Sequence, residues 1–252
     1  GAVVDDGVLQ HVGNPVAEQR ALADGRAIVP LGDRRVLALS GPDRLTWLDS
    51  ITSQATTALA PGESSELLVL DPQGRVEHAA AVIDDGDTTW LLVDQGDAEP
   101  LLTWLTRMRF RMAVELRDAA EYAVIGAVAA EGTGPLPEGA IASPNGVPLV
   151  WRDPWLGITA GGWGYADADP HPGASRRWIE ALVPADEVEA LLAAAPVAGV
   201  LAAEALRVAA WRPRRANEVD ERTLPHEVDW LRTAVHLSKG CYRGQETVAK
   251  VH

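Results

Sequence analysis

Short runs of apolar, β-prone residues separated by turn residues occupy the first part of the chain. The runs cover residues 35–40, 66–70, 75–83 and 88–93. The tetrapeptide Asp71-Pro72-Gln73-Gly74 has the composition of a tight turn, as do residues 84–87 between the last two runs. The pattern therefore predicts a meander of antiparallel strands with a hairpin over residues 66–83.

Apolar positions that recur every three or four residues predict helices around this meander. Such patterns cover residues 41–51, 97–108, 184–195 and 201–211. A proline or an acid in the first turn supports the starts near Pro42 and Asp186, and Pro213 ends the last helix. Residues 177–183 alternate like a further strand. Mixed strands and helices of this kind favour an α+β layered fold.

Composition narrows the class of protein. A chain of 252 residues that is 47% apolar can bury a large core, and no apolar run reaches the roughly 18 residues of a membrane span. The single cysteine, Cys241, cannot form an internal disulfide, and residues 1–20 show no secretory signal. We therefore expect a protein of a reducing compartment, the cytoplasm, without a membrane partner.

Charge and motif spacing argue against two kinds of function. A formal net charge of −14 should repel polyanions over most of the surface, so general nucleic-acid binding is not expected. A local basic patch is possible, and its candidate members are Arg207, Arg212, Arg214 and Arg215. The alternative for this cluster is a solvated helix end. The sequence has no CxxC or HExxH spacing, so we expect no internal metal site.

The only thiol lies in a glycine-rich segment near the end of the chain. Cys241 is placed between Gly240 and Gly244, with Lys239 and Arg243 close by. Glycines allow close approach of a ligand or partner, and neighbouring cations favour the reactive thiolate. On this pattern a functional thiol and a small buried apolar cysteine are both open.

The whole segment around this thiol resembles a family signature. Lys239-Gly240-Cys241-Tyr242-Arg243-Gly244-Gln245-Glu246 is similar to the Lys-Gly-Cys-Tyr-x-Gly-Gln-Glu motif of YgfZ-type folate-binding proteins. These proteins are the iron–sulfur assembly branch of the glycine-cleavage T-protein (aminomethyltransferase) superfamily. Residues 39–43, 70–76, 178–187 and 206–227 also resemble segments of that superfamily, so the likeness covers about residues 30–252.

The resemblance implies a T-protein-like α+β fold, with mixed or antiparallel sheets and packed helices around a central cleft. We expect two interlocked parts, residues 30–130 and residues 131–252. The family continues beyond its motif into a small C-terminal β-barrel. This chain ends at His252, so we expect that barrel to be absent or truncated.

The resemblance also implies a folate site. Glu180 matches the strand glutamate that holds the pterin ring in folate-binding T-proteins. On a strand it shares a face with Trp178 and Leu182, where a buried carboxylate needs a partner. A pterin edge or a structural ion pair with Arg207 would each provide one. We predict tetrahydrofolate or a derivative as the cofactor, with Glu180, Arg207 and Tyr165 as its contacts.

One region departs from the aminomethyltransferases. T-proteins use an aspartate in the return strand of the first hairpin, and this chain has Glu77 and His78 in that region. The difference argues against aminomethyl transfer and favours the YgfZ branch. A lone strand histidine is more often structural than catalytic, so His78 receives no role.

The resulting hypothesis is a tetrahydrofolate-binding protein that supports maturation or repair of iron–sulfur proteins, including tRNA-modifying enzymes. Its partners would be folate and iron–sulfur proteins or assembly factors, and Cys241 would act at the cleft rim. Two alternatives stay open: a folate-dependent one-carbon transferase that uses Glu77, and a non-catalytic scaffold with a structural cysteine. Most tryptophans should pack in the core, whereas Trp211 and Trp230 are candidates for stacking on a ligand or partner.

Overall fold

Strands and helices alternate along the chain. The computed structural model describes residues 1–129 and 131–252. The strands are β1 (Val3–Asp5), β2 (Val8–His11), β3 (Ile28–Pro30), β4 (Arg34–Ser40), β5 (Ser64–Leu70), β6 (Val76–Asp84), β7 (Thr88–Asp94), β8 (Glu115–Asp118), β9 (Tyr122–Val128), β10 (Val150–Arg152) and β11 (Trp178–Pro184). The helices are α1 (Pro15–Ala23), α2 (Arg44–Ile51), α3 (Gln95–Met108), α4 (Val188–Ala194), α5 (Val200–Ala209), α6 (Arg215–Glu218) and α7 (Gln245–Val251).

Two antiparallel sheets form the centre of the molecule. The larger has the strand order β5-β6-β7-β4-β8, and the smaller has the order β10-β11-β9-β3. One apolar cluster contains side chains from both sheets, together with side chains of α1 and α5. The two sheets therefore pack against each other through a shared core, which agrees with the predicted α+β layers.

The alternation of side chains along each strand decides the layers. In β4, Val36 and Ala38 belong to the core between the sheets, whereas Leu37 and Leu39 pack on the opposite side with residues of α2 and α3. In β11, Leu182 belongs to the shared core and Val183 packs in the cluster that includes α4. A period of two thus covers both faces of each sheet with apolar side chains.

The predicted meander is confirmed. β5 and β6 pair as an antiparallel hairpin, and β6 pairs with β7. The turn between β5 and β6 is closed by a hydrogen bond of 3.0 Å from the Gly74 amide to the Asp71 carbonyl. Gly74 has φ +80°, a conformation that favours glycine.

The four predicted helices are present with shifted ends. The helix predicted over residues 97–108 begins at Gln95, and the one predicted over 201–211 covers Val200–Ala209. The segment predicted as one helix over 184–195 opens with a 3₁₀ turn, Ala185–Glu187, before α4. Tight turns of this kind are common at helix starts, and periodicity alone does not distinguish them.

Several short elements were not predicted. They include the three-residue strands β3 and β10, the N-terminal β1–β2 pair and α1. A strand of three residues is too short to show a period.

The predicted boundary between the two parts falls at residues 130 and 131, and Ala130 lies outside the described residues. That division stays a prediction. Across the described ranges, no helix is both long and apolar enough to cross a bilayer.

Candidate functional site

A polar chamber lies where the two sheets meet α5 and the segment that follows it. Its volume is about 80 Å³, and we call it the central chamber. Its charged lining residues are Asp33, Arg34, Glu66, Asp94, Asp153, Arg176, Glu180, Glu204, Arg207, Arg212, Arg214 and Arg215. Arginines and carboxylates are equally numerous in this set, so the buried charge is balanced.

Glu180 contributes a partly satisfied carboxylate to this chamber. It lies in β11 and is only 3% exposed. Its Oε1 atom accepts hydrogen bonds from Arg34 Nη2 at 3.0 Å and from Trp178 Nε1 at 3.1 Å. Its Oε2 atom is buried and has no hydrogen-bond partner among the described residues. One half of the carboxylate is therefore fixed, and the other half is available to a donor that the chain does not supply.

Arg207 does not form the ion pair with Glu180 that the sequence suggested as an alternative. Its guanidinium binds the carboxylates of Glu204 and Glu218, which lie on and beyond α5. Burial alone would lower the pKa of Arg207, but hydrogen bonds to these two carboxylates outweigh burial and raise it. The side chain is thus a fixed cation that lines the chamber.

Arg212 joins two buried carboxylates. Its Nη2 atom lies 2.7 Å from Glu66, and its Nε atom lies 3.1 Å from Asp153. Burial opposes ionisation of both partners, but their mutual attraction wins, so the pKa of Arg212 is raised and that of Asp153 is lowered. The Arg212 guanidinium also lies over the Trp155 ring, 5.1 Å from its centroid. Its Nη1 atom is buried without a partner among the described residues.

Neither prediction for the four arginines, a basic surface patch or a solvated helix end, is therefore correct. Arg207 and Arg212 are 8% and 7% exposed. Arg214 and Arg215 form ion pairs with aspartates near the end of β7. These arginines turn inward because carboxylates that are distant in sequence meet them there, so they form neither a basic surface nor a solvated helix end.

A larger depression adjoins the chamber. Its volume is about 430 Å³, and we call it the outer cleft. Its lining includes Tyr165, His171, Trp211 and His226, and it shares Arg207, Arg212 and Pro213 with the central chamber. Aromatic walls beside a polar interior are typical of small-molecule sites.

The cleft aromatics are held by hydrogen bonds. The Tyr165 hydroxyl lies 2.8 Å from His252 Nδ1, and the Tyr165 amide donates to Asp229. His226 Nε2 lies 3.1 Å from the Val248 carbonyl of α7. Burial lowers the pKa of His226. This wall of the cleft is thus tied to the helix that follows the cysteine motif.

The two tryptophans predicted to stack on a ligand differ. Trp211 is 57% exposed and lines the outer cleft, at φ +54°. Trp230 is buried in an apolar cluster with Tyr242 and lines the central chamber, so it is not an exposed aromatic, and its stacking on a ligand stays a prediction. Side chains of the first hairpin and of the last third of the chain cover Trp230, and no local sequence pattern predicts this burial.

Hydrogen bonds and an ion pair fix the motif around the cysteine to the rest of the protein. We call residues 239–244 the thiol loop. Lys239 Nζ donates to the carbonyls of Thr52 and Gln54 at 2.9 Å each, and also to the carbonyl of Asp49. Burial lowers the pKa of Lys239. This lysine therefore satisfies carbonyls at the C-terminal end of α2.

The other end of the thiol loop contacts the first hairpin through an ion pair and close packing. Arg243 Nη1 lies 2.7 Å from the Glu77 carboxylate. Gly244 has φ +82°, and a Cβ atom there would lie 2.5 Å from the Asp71 carbonyl oxygen. Tyr242 packs in the core, where burial raises its pKa to about 12. The motif residues thus hold the loop against the turn between β5 and β6.

Cys241 itself is exposed. It is not among the residues that line the central chamber or the outer cleft. The two cations expected to act on its thiol, Lys239 and Arg243, are held by the carbonyls after α2 and by Glu77. The structure thus brings Glu180 and Arg207 together at the chamber, puts Tyr165 in the adjoining cleft, and leaves the thiol outside both.

Glu77 and His78 are engaged elsewhere. The Glu77 carboxylate is paired with Arg243, and His78 Nδ1 lies 2.6 Å from Asp97 Oδ1. Neither residue lines the central chamber. Sequence reasoning missed most of the charged chamber residues, among them Arg34, Glu66 and Asp153, because none of them belongs to a recognisable motif.

Two comparisons place this geometry among known proteins. No protein-family model matches the chain. The crystal structure of glycine cleavage system aminomethyltransferase T from Bartonella henselae superposes with a TM-score of 0.71, over 99% of this chain and 70% of that chain, at 13% identity. The chain has the T-protein fold. The predicted fold class is thereby confirmed, while at this identity the T-protein fold alone leaves the reaction open.

A curated relative is also similar over the whole chain. It is a chloroplastic protein of Arabidopsis thaliana, provisionally named a transferase, and it is 24% identical over 264 aligned residues. The chain spans 59% of the length of that relative. The resemblance to the T-protein superfamily thus holds at the level of the T-protein fold, and membership of the YgfZ branch stays a prediction.

Proposed function

We propose that this protein binds a tetrahydrofolate, with Glu180 as the anchor of the pterin ring. The supporting observation is the buried Oε2 atom of Glu180, which has no partner among the described residues although Oε1 has two. A buried acceptor without a donor is costly to a folded protein, and the N–H groups of a pterin edge would satisfy it. The T-protein fold supports the same assignment.

A ligand anchored by Glu180 would need both cavities, because Glu180 lines the central chamber and not the outer cleft. The central chamber, at about 80 Å³, is smaller than the roughly 300–1,000 Å³ of ordinary ligand pockets. The outer cleft, at about 430 Å³, lies within that range. We therefore assign the body of the ligand to the outer cleft, between Tyr165 and Arg207, with one edge directed to the chamber.

Calorimetric titration with tetrahydrofolate tests this proposal. The wild-type protein should bind, and Glu180→Gln should weaken binding by about 10- to 100-fold, because it removes a charged acceptor. Glu189→Gln, at an exposed carboxylate of α4, is the matched control and should bind like the wild type. Absence of binding to the folded wild-type protein would refute the folate assignment.

We further propose the YgfZ-type role, support of iron–sulfur protein maturation, for the thiol loop. The motif resemblance and the exposure of Cys241 support it. Ellman's reagent should label one thiol per chain without denaturant, since the thiol faces solvent. In a strain that lacks its YgfZ homologue, the wild-type chain should restore iron–sulfur enzyme activity and Cys241→Ala should not. Full rescue by an expressed Cys241→Ala would favour the scaffold alternative.

A folate-dependent one-carbon transferase is the second candidate, favoured by the name of the Arabidopsis relative. Its candidate carboxylate, Glu77, is paired with Arg243 and points to a structural role. Incubation with an aminomethyl donor and tetrahydrofolate decides between the two candidates. Formation of methylenetetrahydrofolate that disappears in Glu77→Gln would establish the transferase.

A further inference from the structure

Three residues of the central chamber each have a buried side-chain atom that lacks a partner among the described residues, and both hydrogen-bonding types are represented. Glu180 Oε2 and Asp33 Oδ1 are acceptors, and Arg212 Nη1 is a donor. All three residues line the same chamber. Most buried polar groups in proteins are satisfied, so an unsatisfied donor and an unsatisfied acceptor in one chamber are together the signature of a ligand that presents both.

Neither Arg212 nor Glu180 can turn away to find another partner cheaply. Arg212 is fixed by Glu66 on one side and by Asp153 on the other, and it lies between the Trp151 and Trp155 rings, 5.9 and 5.1 Å from their centroids. Glu180 is fixed through Oε1 by Arg34 and Trp178. The unsatisfied atoms are therefore preorganised.

Arg212 also lies where the two cavities adjoin. It lines both the central chamber and the outer cleft. Arg207 and Pro213 also line both cavities, so a ligand edge directed from the outer cleft to Glu180 would pass beside these three residues. The Nη1 atom of Arg212 can only donate, whereas Glu180 can only accept.

We propose that Arg212 contacts the ligand and determines its specificity, by donating to the 4-oxo group of a reduced pterin while Glu180 accepts from the neighbouring ring N–H and amino groups. The inference rests on the proposed folate function and refines it to 4-oxo pterins. A 4-amino pterin places a donor where Arg212 also donates, so the site rejects it. Sites built to hydrogen-bond one group discriminate strongly against analogues that lack it.

Tetrahydrofolate and tetrahydroaminopterin provide the test; they differ in the group at C4 and in the N3–H, which only the 4-oxo compound carries. Calorimetry under anaerobic conditions gives the ratio of their dissociation constants for each protein. The wild type should prefer the 4-oxo compound at least about tenfold. Arg212→Lys keeps a cation between Glu66 and Asp153 but loses the planar donor fork. It should therefore lower the ratio, while the part of the preference that comes from the N3–H facing Glu180 remains. Arg35→Lys, at an exposed arginine of β4 that lines neither cavity, is the control and should keep the wild-type ratio.

The outcomes separate this inference from the folate proposal. Equal binding of both compounds by the wild type would overturn the role of Arg212 and leave the folate site standing, with buried water as the partner of Nη1. A wild-type preference that Arg212→Lys fully retains would also overturn it. Failure of the wild type to bind either compound would overturn both proposals. If Arg212→Lys folds poorly, equal binding of the two compounds by the wild type still overturns the role of Arg212.

Discussion

The central chamber and the thiol loop use buried cations for opposite purposes. In the chamber, Arg212 is held by carboxylates and still has one unsatisfied donor, and Glu180, which lines the same chamber, has an unsatisfied acceptor. In the thiol loop, Lys239 is held by main-chain carbonyls, while the one group free to react, Cys241, faces solvent. Under the proposed function, the unsatisfied chamber groups would meet a ligand, whereas the exposed thiol would be presented on a rigid, hydrogen-bonded support.

This contrast predicts that chamber and loop differ in how substitutions act. Chamber substitutions should leave buried charges without their ion-pair partners, and should therefore change both ligand binding and the free energy of unfolding. Loop substitutions should act through backbone geometry and carbonyl satisfaction, and should leave folate affinity unchanged. The predictions below run from the largest expected effect to the smallest.

Asp153→Asn should have the largest effect. Asp153 is buried and neutralises both Arg176 and Arg212, so its replacement leaves buried positive charge without a partner. The free energy of unfolding should fall by about 3–5 kcal/mol, measured by urea denaturation. Asp186→Asn, at an exposed position before α4, is the control and should be nearly silent. An equal effect of both variants would show that chamber charge pairing does not dominate stability.

Lys239→Met should destabilise the loop side of the molecule. The substitution leaves carbonyls of Asp49, Thr52 and Gln54 without their donor. We expect a loss of about 2–3 kcal/mol in the free energy of unfolding, with tetrahydrofolate affinity unchanged. Lys250→Met, at an exposed lysine of α7, should change little. Loss of folate affinity in folded Lys239→Met would break the separation between loop and chamber.

Gly244→Ala should cost less. The residue has φ +82°, and the added Cβ would lie 2.5 Å from the Asp71 carbonyl oxygen. We expect thermal unfolding to report a loss of about 1–2 kcal/mol, with faster or less uniform thiol labelling as the loop loosens. Gly240→Ala is the matched control, because no atom lies within 4 Å of its added Cβ. An unchanged free energy of unfolding in Gly244→Ala would mean that the close contact between Gly244 and the turn at Asp71 does not contribute to stability.

The pH dependence of stability should give the smallest effect. Burial lowers the pKa of His226, and its Nδ1 atom is buried without a partner among the described residues. The unfolded chain therefore binds the proton more tightly, so stability is lost as pH falls below about 6.5. The melting temperature should fall between pH 7.5 and 5.5, with a shallower slope in His226→Gln. An identical slope in this variant would assign the effect to other groups, of which His171 is the first candidate because burial also lowers its pKa.

The sequence by itself determined the meander of strands and most of the helices around it. Alternation in residues 75–83 and the turn at Asp71–Gly74 are local patterns, and local sterics and burial decide them. The motif resemblance also indicated the T-protein fold and the residues Glu180 and Arg207, which the structure brings to one chamber. The lone thiol was visible in the sequence as well, although its exposure was not.

Only the tertiary structure decided which charges meet. Arg34 and Glu180 are 146 residues apart, as are Arg212 and Glu66, and no local pattern links residues at that separation. Lys239 and the end of α2 are likewise distant in sequence and meet only in the fold. Trp230 is buried in the fold, and the sequence around it does not predict that burial. Sheet packing brings these groups together, and electrostatic energy in a low-dielectric interior depends on distance in space, not on distance along the chain.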